Sequence, residues 1–350
     1  MTDFRMPSAE QDFRRALEAQ NAGRYEEAVH LLARAGSQDH VMALSMLGGQ
    51  LISGRGVAPD FAAGMTLIRR AAELGGAYAW AVLAATSAFG LDGRPDWTNA
   101  LDQLQRAAEL GHEPAQAQLR TLAELSGPQP AGASWANLRR SFDLDAWRSP
   151  PAAETLSADP DIRTVTGLAP PSICDWLISS VRDRLQRAVV HLPHIYQQKP
   201  SDHRTNSYAA FTLADADIIV LLMQERLGIA AGMDVMNMEG PQVLHYAPGQ
   251  QYALHFDFLE PDMPGNVASI DRFGQRVATL LIYLNQDFTA GETHFPTLGI
   301  RYKGRVGDAL MFRNVDPAGA PDRRMKHAGL PPVAGEKWLF SQWVRDRRQR

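Results

Sequence analysis

The sequence predicts a multidomain protein of mixed α and β class. Its N-terminal part is predicted to be an α-solenoid of helical-hairpin repeats, and its C-terminal part a double-stranded β-helix, or jelly roll, flanked by helices. Two observations carry this prediction. An internal repeat with a period of 36 residues fills the first third of the chain, and short β-branched and aromatic runs fill the last part. Such repeats are typical of stacked hairpins, and many short strands are typical of a sandwich or barrel.

The repeat is visible as AAELG at 71–75 and again at 107–111. Small and apolar residues recur in the same register in three successive units. Within a unit, apolar residues four apart form one helix face, and Gly-containing segments separate the helices. The recurring positions include Ala43, Ala79 and Ala115, and Leu47, Leu83 and Leu119.

These units resemble Sel1-like repeats, which are relatives of the tetratricopeptide repeat, and the first segment is more similar to a tetratricopeptide helix pair. The resemblance covers roughly residues 10–125. It implies a solenoid whose concave surface holds a peptide or a partner protein. The alternative is a packing domain that only stabilises the rest of the chain.

The composition is that of an ordinary globular protein, with 45% hydrophobic and 21% charged residues among 350. A formal net charge of -4 gives no reason to expect a nucleic-acid or membrane-surface binder. The single cysteine, Cys174, excludes an intrachain disulfide and a Cys-based zinc cluster, and it is expected to be buried and inert. Because no apolar signal core or long apolar run is found, we expect a cytoplasmic location.

We expect the repeats to occupy residues 1–125, a linker rich in Pro, Ser and Ala to occupy 126–162, and a catalytic domain to occupy 163–350. Two helices are predicted at the start of the third part, with the sequences PSICDWLISSVRDRLQRAVV and DADIIVLLMQERLGI. The strands predicted after them are QVLHYA, QYALHFDFL, RVATLLIYLN, ETHFPTL, IRYKG, DALMFRN and KWLFSQWV.

A metal site is indicated by His255 and Asp257, which project from the same face of a strand because its side chains alternate. The alternative is a polar face of a half-buried strand. Two His and one carboxylate form the facial triad that non-haem Fe(II) oxygenases use. His294 and His327 are both candidates for the third ligand.

Lys337 lies in the otherwise apolar strand KWLFSQWV, where it shares one face with Leu339, Ser341 and Trp343. A buried lysine is costly unless it meets an anion. The distal carboxylate of 2-oxoglutarate fits this requirement, and an Asp or Glu of the protein is the alternative.

These strands, in this order, resemble the catalytic domain of prolyl 4-hydroxylases, over about residues 165–345. The resemblance rests on QVLHYAPGQQYALHFDF, GQRVATLLIYLNQDFTAGETHFP, GRVGDALMFRN and KHAGLPPVAGEKWLFSQWV. HRTNSYAAF at 203–211 is similar to the family's Arg-Thr-Ser segment, with Asn206 inserted.

The resemblance implies roles for single residues. His255, Asp257 and His327 would bind Fe(II), and Lys337 would pair with 2-oxoglutarate. The other cofactors implied are dioxygen and ascorbate. The segment around His294 holds no ligand in the family. The positions implied to lie near the co-substrate or to line its pocket are Tyr246, Thr279 and Trp343.

Substrate recognition is less well indicated. Loops 196–209 and 258–274 are candidate lids, and Arg204 either contacts substrate or caps its loop. We assign no role to the remaining C-terminal histidines, which are His191, His194, His203, His245 and His294.

Three functions compete. The leading hypothesis is a dioxygenase that hydroxylates a prolyl residue of a protein or peptide, with the repeats recruiting the substrate or a partner. The second is the same chemistry on a free amino acid or a peptide natural product. The third is a repeat-based interaction protein whose oxygenase domain is inactive.

Overall fold

The computed structural model describes residues 8–91, 93–188, 190–192, 197–199, 201–212 and 217–349, without side-chain detail for 190–192 and 197–199. The chain divides into two compact units. The first contains the residues up to Phe142 and a short segment that ends at Ile218. The second contains the rest of the chain from Asp143 onward. None of the helices in the described ranges is long and apolar enough to cross a membrane.

The first unit is a run of antiparallel helical hairpins, as the repeat predicts. Its third and fifth helices are capped at their C-terminal ends by Gly54 and Gly90, whose φ angles of 70° and 75° are left-handed. Glycine adopts this conformation without strain, so its recurrence after 36 residues marks the same helix end in successive repeats. The helices are α1 (Ala9–Asn21), α2 (Tyr25–Gly36), α3 (Val41–Ser53), α4 (Phe61–Glu73), α5 (Ala77–Phe89), α6 (Trp97–Glu109), α7 (Glu113–Glu124) and α8 (Trp135–Ser141).

Small residues allow the helices of the first unit to pack closely. A Cβ atom at Gly48 of α3 would lie 2.8 Å from the carbonyl oxygen of Gly64 in α4, which is too near for any larger side chain. The recurring alanines are fully buried, as the repeat register predicts. These alanines are Ala43, Ala79 and Ala115.

The predicted linker at 126–162 is more ordered than its composition indicates. It contains α8, the short helix α9 (Leu144–Trp147) and the strand β1 (Glu154–Ser157), and the strand β2 (Ile162–Val165) begins at its end. The two compact units divide inside it, at Phe142. Strand β2 pairs with a strand more than 140 residues later, and such distant pairing leaves no local signal in a Pro-rich segment.

The second unit contains two principal antiparallel sheets, as expected for a jelly roll. The larger has eight strands in the order β1-β2-β13-β9-β16-β7-β6-β3, and the smaller has the order β12-β11-β14-β8. The second unit also contains two two-stranded sheets, β10-β15 and β4-β5. The remaining strands are β3 (Gln186–Arg187), β4 (Val190–Leu192), β5 (Gln197–Lys199), β6 (Ser207–Ala210), β7 (Gln242–Tyr246), β8 (Tyr252–His255), β9 (Arg276–Tyr283), β10 (Thr289–Ala290), β11 (Thr293–Phe295), β12 (Ile300–Tyr302), β13 (Ala309–Arg313), β14 (His327–Gly329), β15 (Pro332–Ala334) and β16 (Lys337–Arg345).

The core of this unit lies between the two sheets. Leu281, Phe312 and Leu339 from the larger sheet form one buried cluster with Phe295 from the smaller sheet. Tyr252 of the smaller sheet packs against the same cluster. The inner faces of the sheets therefore meet at the place where the predicted metal ligands lie.

Besides the short α9, the described part of the second unit contains the helices α10 (Pro171–Ser179), α11 (Ile218–Ala231) and α12 (Pro264–Phe273). The first is shorter than the pattern predicts, because Gln186 pairs with Tyr208 and continues the chain as β3. Cys174 in α10 is fully buried, and burial raises the pKa of its thiol to about 12, so it is inert as expected.

The two candidate lids differ from simple loops. Segment 258–274 contains the helix α12, whereas the sequence predicts an irregular loop there. Segment 196–209 contains the strand β5 and most of β6, and residues 196 and 200 lie outside the described residues. A lid role for either segment stays a prediction.

Candidate active site

Three side chains that the sequence predicts as metal ligands meet between the sheets. His255 is the last residue of β8 and His327 is the first of β14, and the two residues are direct antiparallel partners. Asp257 follows two residues after His255 and returns its carboxylate to the same side. The local spacing brings two of the ligands together, and the strand pairing brings the third.

The geometry of the three groups suits a single ion. Asp257 Oδ1 lies 3.4 Å from His255 Nε2, and Asp257 Oδ2 lies 3.4 Å from His327 Nε2. Their potential ligand atoms all lie within 4.8 Å of one another. In the part of the chain that the structure describes, this is the one such group of three or more His, Cys, Asp or Glu side chains. His294 is not a member.

Backbone carbonyls orient both histidine rings. His255 Nδ1 lies 2.8 Å from the carbonyl oxygen of Ala253, and His327 Nδ1 lies 2.9 Å from that of Met325. A carbonyl only accepts hydrogen bonds, so each Nδ1 donates a proton to its carbonyl, and Nε2 is the ring nitrogen left to bind a metal ion.

Asp257 is held in its ionised form. Burial alone would raise its pKa, but His327 and His255 outweigh that effect and hold the pKa well below the usual range of an aspartate. The hydroxyl of Thr279 also donates to Asp257 Oδ2, over 2.7 Å. Thr279, predicted to lie near the co-substrate, lines the same pocket, and its hydroxyl hydrogen is used in the hydrogen bond to Asp257.

Asn314 is a buried residue of the site that the sequence reading missed. Its Nδ2 donates to Thr279 Oγ1 over 3.0 Å, and its side chain is 1% exposed. It follows Leu310 and Phe312 at alternate positions, and both of these belong to the core cluster. The alternation along DALMFRN could therefore have placed Asn314 on the inner face.

Lys337 is completely buried in the same pocket as the three ligands. Its Nζ donates to the carbonyl oxygen of Gly291 over 2.7 Å and lies 5.1 Å from the ring centre of Tyr246. Within the described ranges, no carboxylate forms an ion pair with this ammonium. Burial lowers the pKa of Lys337 to about 7. Glu292 attracts the ammonium electrostatically, but the paired Asp or Glu that was the alternative for this sequence position is not found among the described residues.

Tyr246 and Trp343 line the pocket as predicted. Tyr246 lies opposite Lys337 in the pairing of β7 with β16, and burial raises the pKa of its hydroxyl, which stays protonated. Trp343 lies against the guanidinium of Arg276, 3.6 Å from the ring centre. Its buried indole N–H has no hydrogen-bond partner among the described residues. Leu339 and Ser341 also line the pocket, so the alternation predicted for β16 is correct.

Arg204 reaches the pocket from the segment before β6 and is only 8% exposed. Its guanidinium lies 4.5 Å from the ring centre of Tyr252, and that ring stacks on His255 at a centre-to-centre distance of 3.4 Å. Arg204 Nε donates to Asn206, whereas its buried Nη2 finds no acceptor within the described ranges. The structure therefore presents a buried donor beside the predicted ligands.

The other C-terminal histidines whose side chains the structure describes are not part of the group of three ligands. His203 is exposed, and His294 lies on β11 between the inward-facing Thr293 and Phe295. His245 packs on Trp338 with ring centres 4.3 Å apart, on the face of β7 opposite Tyr246. The side chains of His191 and His194 lie outside the described residues.

Comparisons with known proteins converge on one family. A family model described as the 2OG-Fe(II) oxygenase superfamily matches residues 241–345. The chain is 30% identical to Prolyl 4-hydroxylase 1 of Arabidopsis thaliana over 244 residues, which covers 63% of this chain and 84% of that protein. It is 31% identical to Prolyl 4-hydroxylase subunit alpha-1 of Gallus gallus over 207 residues, which covers 59% of this chain but only 37% of that subunit.

Two solved structures also show similarity to the chain. A viral collagen prolyl hydroxylase from Paramecium Bursaria Chlorella virus-1, in a 2OG complex, matches with 26% identity and a TM-score of 0.40, over 53% of this chain and 95% of that one. A Sel1 repeat protein from Oxalobacter formigenes matches with 22% identity and a TM-score of 0.32, over 40% of this chain and 61% of that one.

Proposed function

This chain belongs to the prolyl 4-hydroxylase family of 2OG-Fe(II) oxygenases, and we propose that it hydroxylates a prolyl residue of a protein or peptide. The observation that carries the proposal is the joint placement of four groups in one pocket. His255, Asp257 and His327 offer a facial set of ligands, and Lys337 offers a buried cation without a protein anion.

The residues present fit the cofactors of the family. Two imidazole nitrogens and one carboxylate on one side of an ion are the donor set that suits Fe(II) and leaves positions open. Fe(II) with 2-oxoglutarate and dioxygen supplies the oxidising power for inserting one oxygen atom into a C–H bond, with succinate and carbon dioxide as co-products. Ascorbate as the reductant that keeps the iron ferrous is part of the proposal.

The protein's own contribution is to bind, orient and exclude water. The carbonyls of Ala253 and Met325 hold the ligand rings with Nε2 turned to the metal position. Lys337 binds the distal carboxylate of 2-oxoglutarate, and Tyr246 closes the pocket beside it. Since the ammonium is already desolvated, the new ion pair carries little further cost for the protein.

Binding of 2-oxoglutarate should weaken as the pH rises above 7. With a pKa of about 7, Lys337 is mostly neutral in the empty pocket at higher pH, whereas the bound carboxylate requires the charged form. Binding then takes up a proton, and affinity should fall by up to about tenfold per pH unit above 7. Calorimetry in buffers of different ionisation enthalpy measures both quantities.

A matched variant isolates this effect from other titrations. The guanidinium of Lys337→Arg stays charged over the same range, so its pH slope for 2-oxoglutarate should be smaller than that of the wild type. An affinity that is constant or increases between pH 7 and 9 in the wild-type protein would contradict the assignment of Lys337.

Arg204 is proposed to bind a carbonyl of the substrate polypeptide with its free Nη2. Arg204→Met should raise KM for a polypeptide substrate by about 10- to 100-fold, because a charged hydrogen bond contributes roughly 1.5–3 kcal/mol. The Kd for 2-oxoglutarate should change little. Arg182→Met is the control, since Arg182 lies over Trp338, 5.1 Å from its ring centre, away from the pocket. An unchanged KM in Arg204→Met would remove this role.

The helical repeats, expected at residues 1–125, are proposed to hold the polypeptide substrate away from the reacting proline. Helices α3 and α5 contain no charged residue, yet Met42 and Tyr78 are 41% and 39% exposed. These residues occupy equivalent positions of successive repeats, and we propose that they contribute to a surface that binds an uncharged segment of the substrate. The proposed cellular location is the cytoplasm.

Product analysis tests the proposed function. Purified protein with Fe(II), 2-oxoglutarate and ascorbate is incubated with peptide pools or with small molecules, and the products are analysed by mass spectrometry. We expect a mass gain of one oxygen atom at proline in peptides, with matching succinate. Oxidation of free amino acids alone would favour the second substrate class, and no succinate from any mixture would contradict an active oxygenase.

A further inference from the structure

Asn314 connects to two of the three predicted metal ligands through separate hydrogen-bond paths. It follows directly after β13 and is 1% exposed, and its backbone N–H donates to the carbonyl of Val277 over 2.9 Å. Its side chain leads towards Asp257, and its backbone carbonyl leads towards His327. We propose that Asn314 is a positioning residue whose side chain sets the metal-binding geometry of Asp257, while its backbone carbonyl supports the turn before His327. This inference rests on the proposed metal centre.

The side-chain path fixes the carboxylate of Asp257. Asn314 Nδ2 donates to Thr279 Oγ1, so the hydroxyl proton of Thr279 must point elsewhere, and it points to Asp257 Oδ2 at 2.7 Å. A hydroxyl has one proton to donate, and Asn314 therefore decides its direction. With Oδ2 engaged in this way, Asp257 presents Oδ1 more freely to an ion, and its rotation is restricted.

The backbone path fixes the ring of His327. The carbonyl of Asn314 accepts from the N–H of Asp322 over 3.0 Å. Asp322 caps the short 3-10 helix Arg323–Met325, and the N–H of Met325 donates to its carbonyl. The carbonyl of Met325 in turn accepts from His327 Nδ1. Asn314 thus also anchors the turn that orients the third ligand.

Metal affinity is the readout that separates positioning from mere stability. Partners of metal ligands typically change affinity by about 10- to 100-fold when they are removed. We expect Asn314→Ala and Thr279→Val each to weaken Mn(II) binding by roughly tenfold or more, as measured by calorimetry. Thr279→Ser keeps the hydroxyl and should bind Mn(II) nearly as well as the wild type.

A double variant tests whether the side-chain path is shared. If Asn314 acts on Asp257 through Thr279, adding Asn314→Ala to Thr279→Val should weaken binding by less than the product of the single effects. Met311→Ala is the stability control, because Met311 is buried on the same strand outside the core cluster between the sheets. It should lower the melting temperature and leave Mn(II) affinity unchanged.

The outcomes are distinguishable. Wild-type affinity in Asn314→Ala or Thr279→Val, or effects that multiply fully in the double variant, would overturn the proposed positioning. If Asn314→Ala does not fold, Asn314→Leu takes its place, because leucine has a similar size and lacks the amide that donates to Thr279 Oγ1; wild-type Mn(II) affinity in that variant would overturn the proposal. Absence of Mn(II) binding in the wild type would contradict the metal centre, and this inference with it.

Discussion

Replacing His255 or Asp257 by alanine is expected to abolish succinate formation and to weaken divalent-metal binding by more than about 100-fold. The reason is geometric, because the three ligand atoms lie within 4.8 Å of one another and each supplies one donor. Loss of a mere partner of a ligand costs about 10- to 100-fold in affinity, so loss of a donor should exceed that range. Calorimetry with Mn(II) and a succinate assay measure the two effects.

His294→Ala is the matched control for this prediction. It removes an imidazole from the neighbouring strand β11, whose inward positions are taken by Thr293 and Phe295. This variant should bind Mn(II) and form succinate as the wild type does. Normal turnover in either His255→Ala or Asp257→Ala would refute the ligand assignment, and loss of metal binding in His294→Ala would show that the wrong histidine had been chosen.

Lys337→Met is expected to weaken 2-oxoglutarate binding by roughly 100-fold or more, without loss of fold stability. Removing one partner of a buried, hydrogen-bonded ion pair typically costs about 2–5 kcal/mol. Among the described residues, however, Lys337 donates to a single carbonyl and is desolvated, so an apolar side chain of similar length should be tolerated. Calorimetry and thermal unfolding measure the two quantities.

The burial of Lys337 should also make the free energy of unfolding depend on pH. The lowered pKa of Lys337 means that, between about pH 7 and its normal value of 10.5, the unfolded chain binds more protons at this position than the folded one. In the protein without 2-oxoglutarate, Lys337 therefore makes the free energy of unfolding increase as the pH rises through that window. Lys337→Met should lose that dependence. Lys303→Met, at an exposed lysine, is the control. Unchanged 2-oxoglutarate affinity in Lys337→Met would contradict the assigned role.

Local periodicity accounts for much of what the sequence could predict. The alternation of β16 correctly places Lys337 and Trp343 in the pocket, because both lie on one strand. The repeat register correctly places Gly-containing breaks between helices, and the C-caps Gly54 and Gly90 lie at matching positions of two units. Both results follow from local patterns, because side chains alternate along one strand and similar repeat units fold alike.

Distant pairing accounts for what the sequence could not predict. The residues alone left both His294 and His327 as candidates, because only the pairing of β14 with β8 brings His327 opposite His255. Strand β2 was missed within the Pro-rich segment, because its partner β13 lies far along the chain. The hydrogen bond from Thr279 to Asp257 joins a strand interior to the residue after another strand, and no spacing rule contains it.

The most direct test of the central claim is an anaerobic crystal structure with Mn(II) and 2-oxoglutarate. The account predicts one metal ion bound by Nε2 of His255, Nε2 of His327 and the carboxylate of Asp257. It also predicts the distal carboxylate of 2-oxoglutarate within hydrogen-bond distance of Lys337 Nζ. A metal ion bound elsewhere, or a distal carboxylate directed away from Lys337, would contradict it.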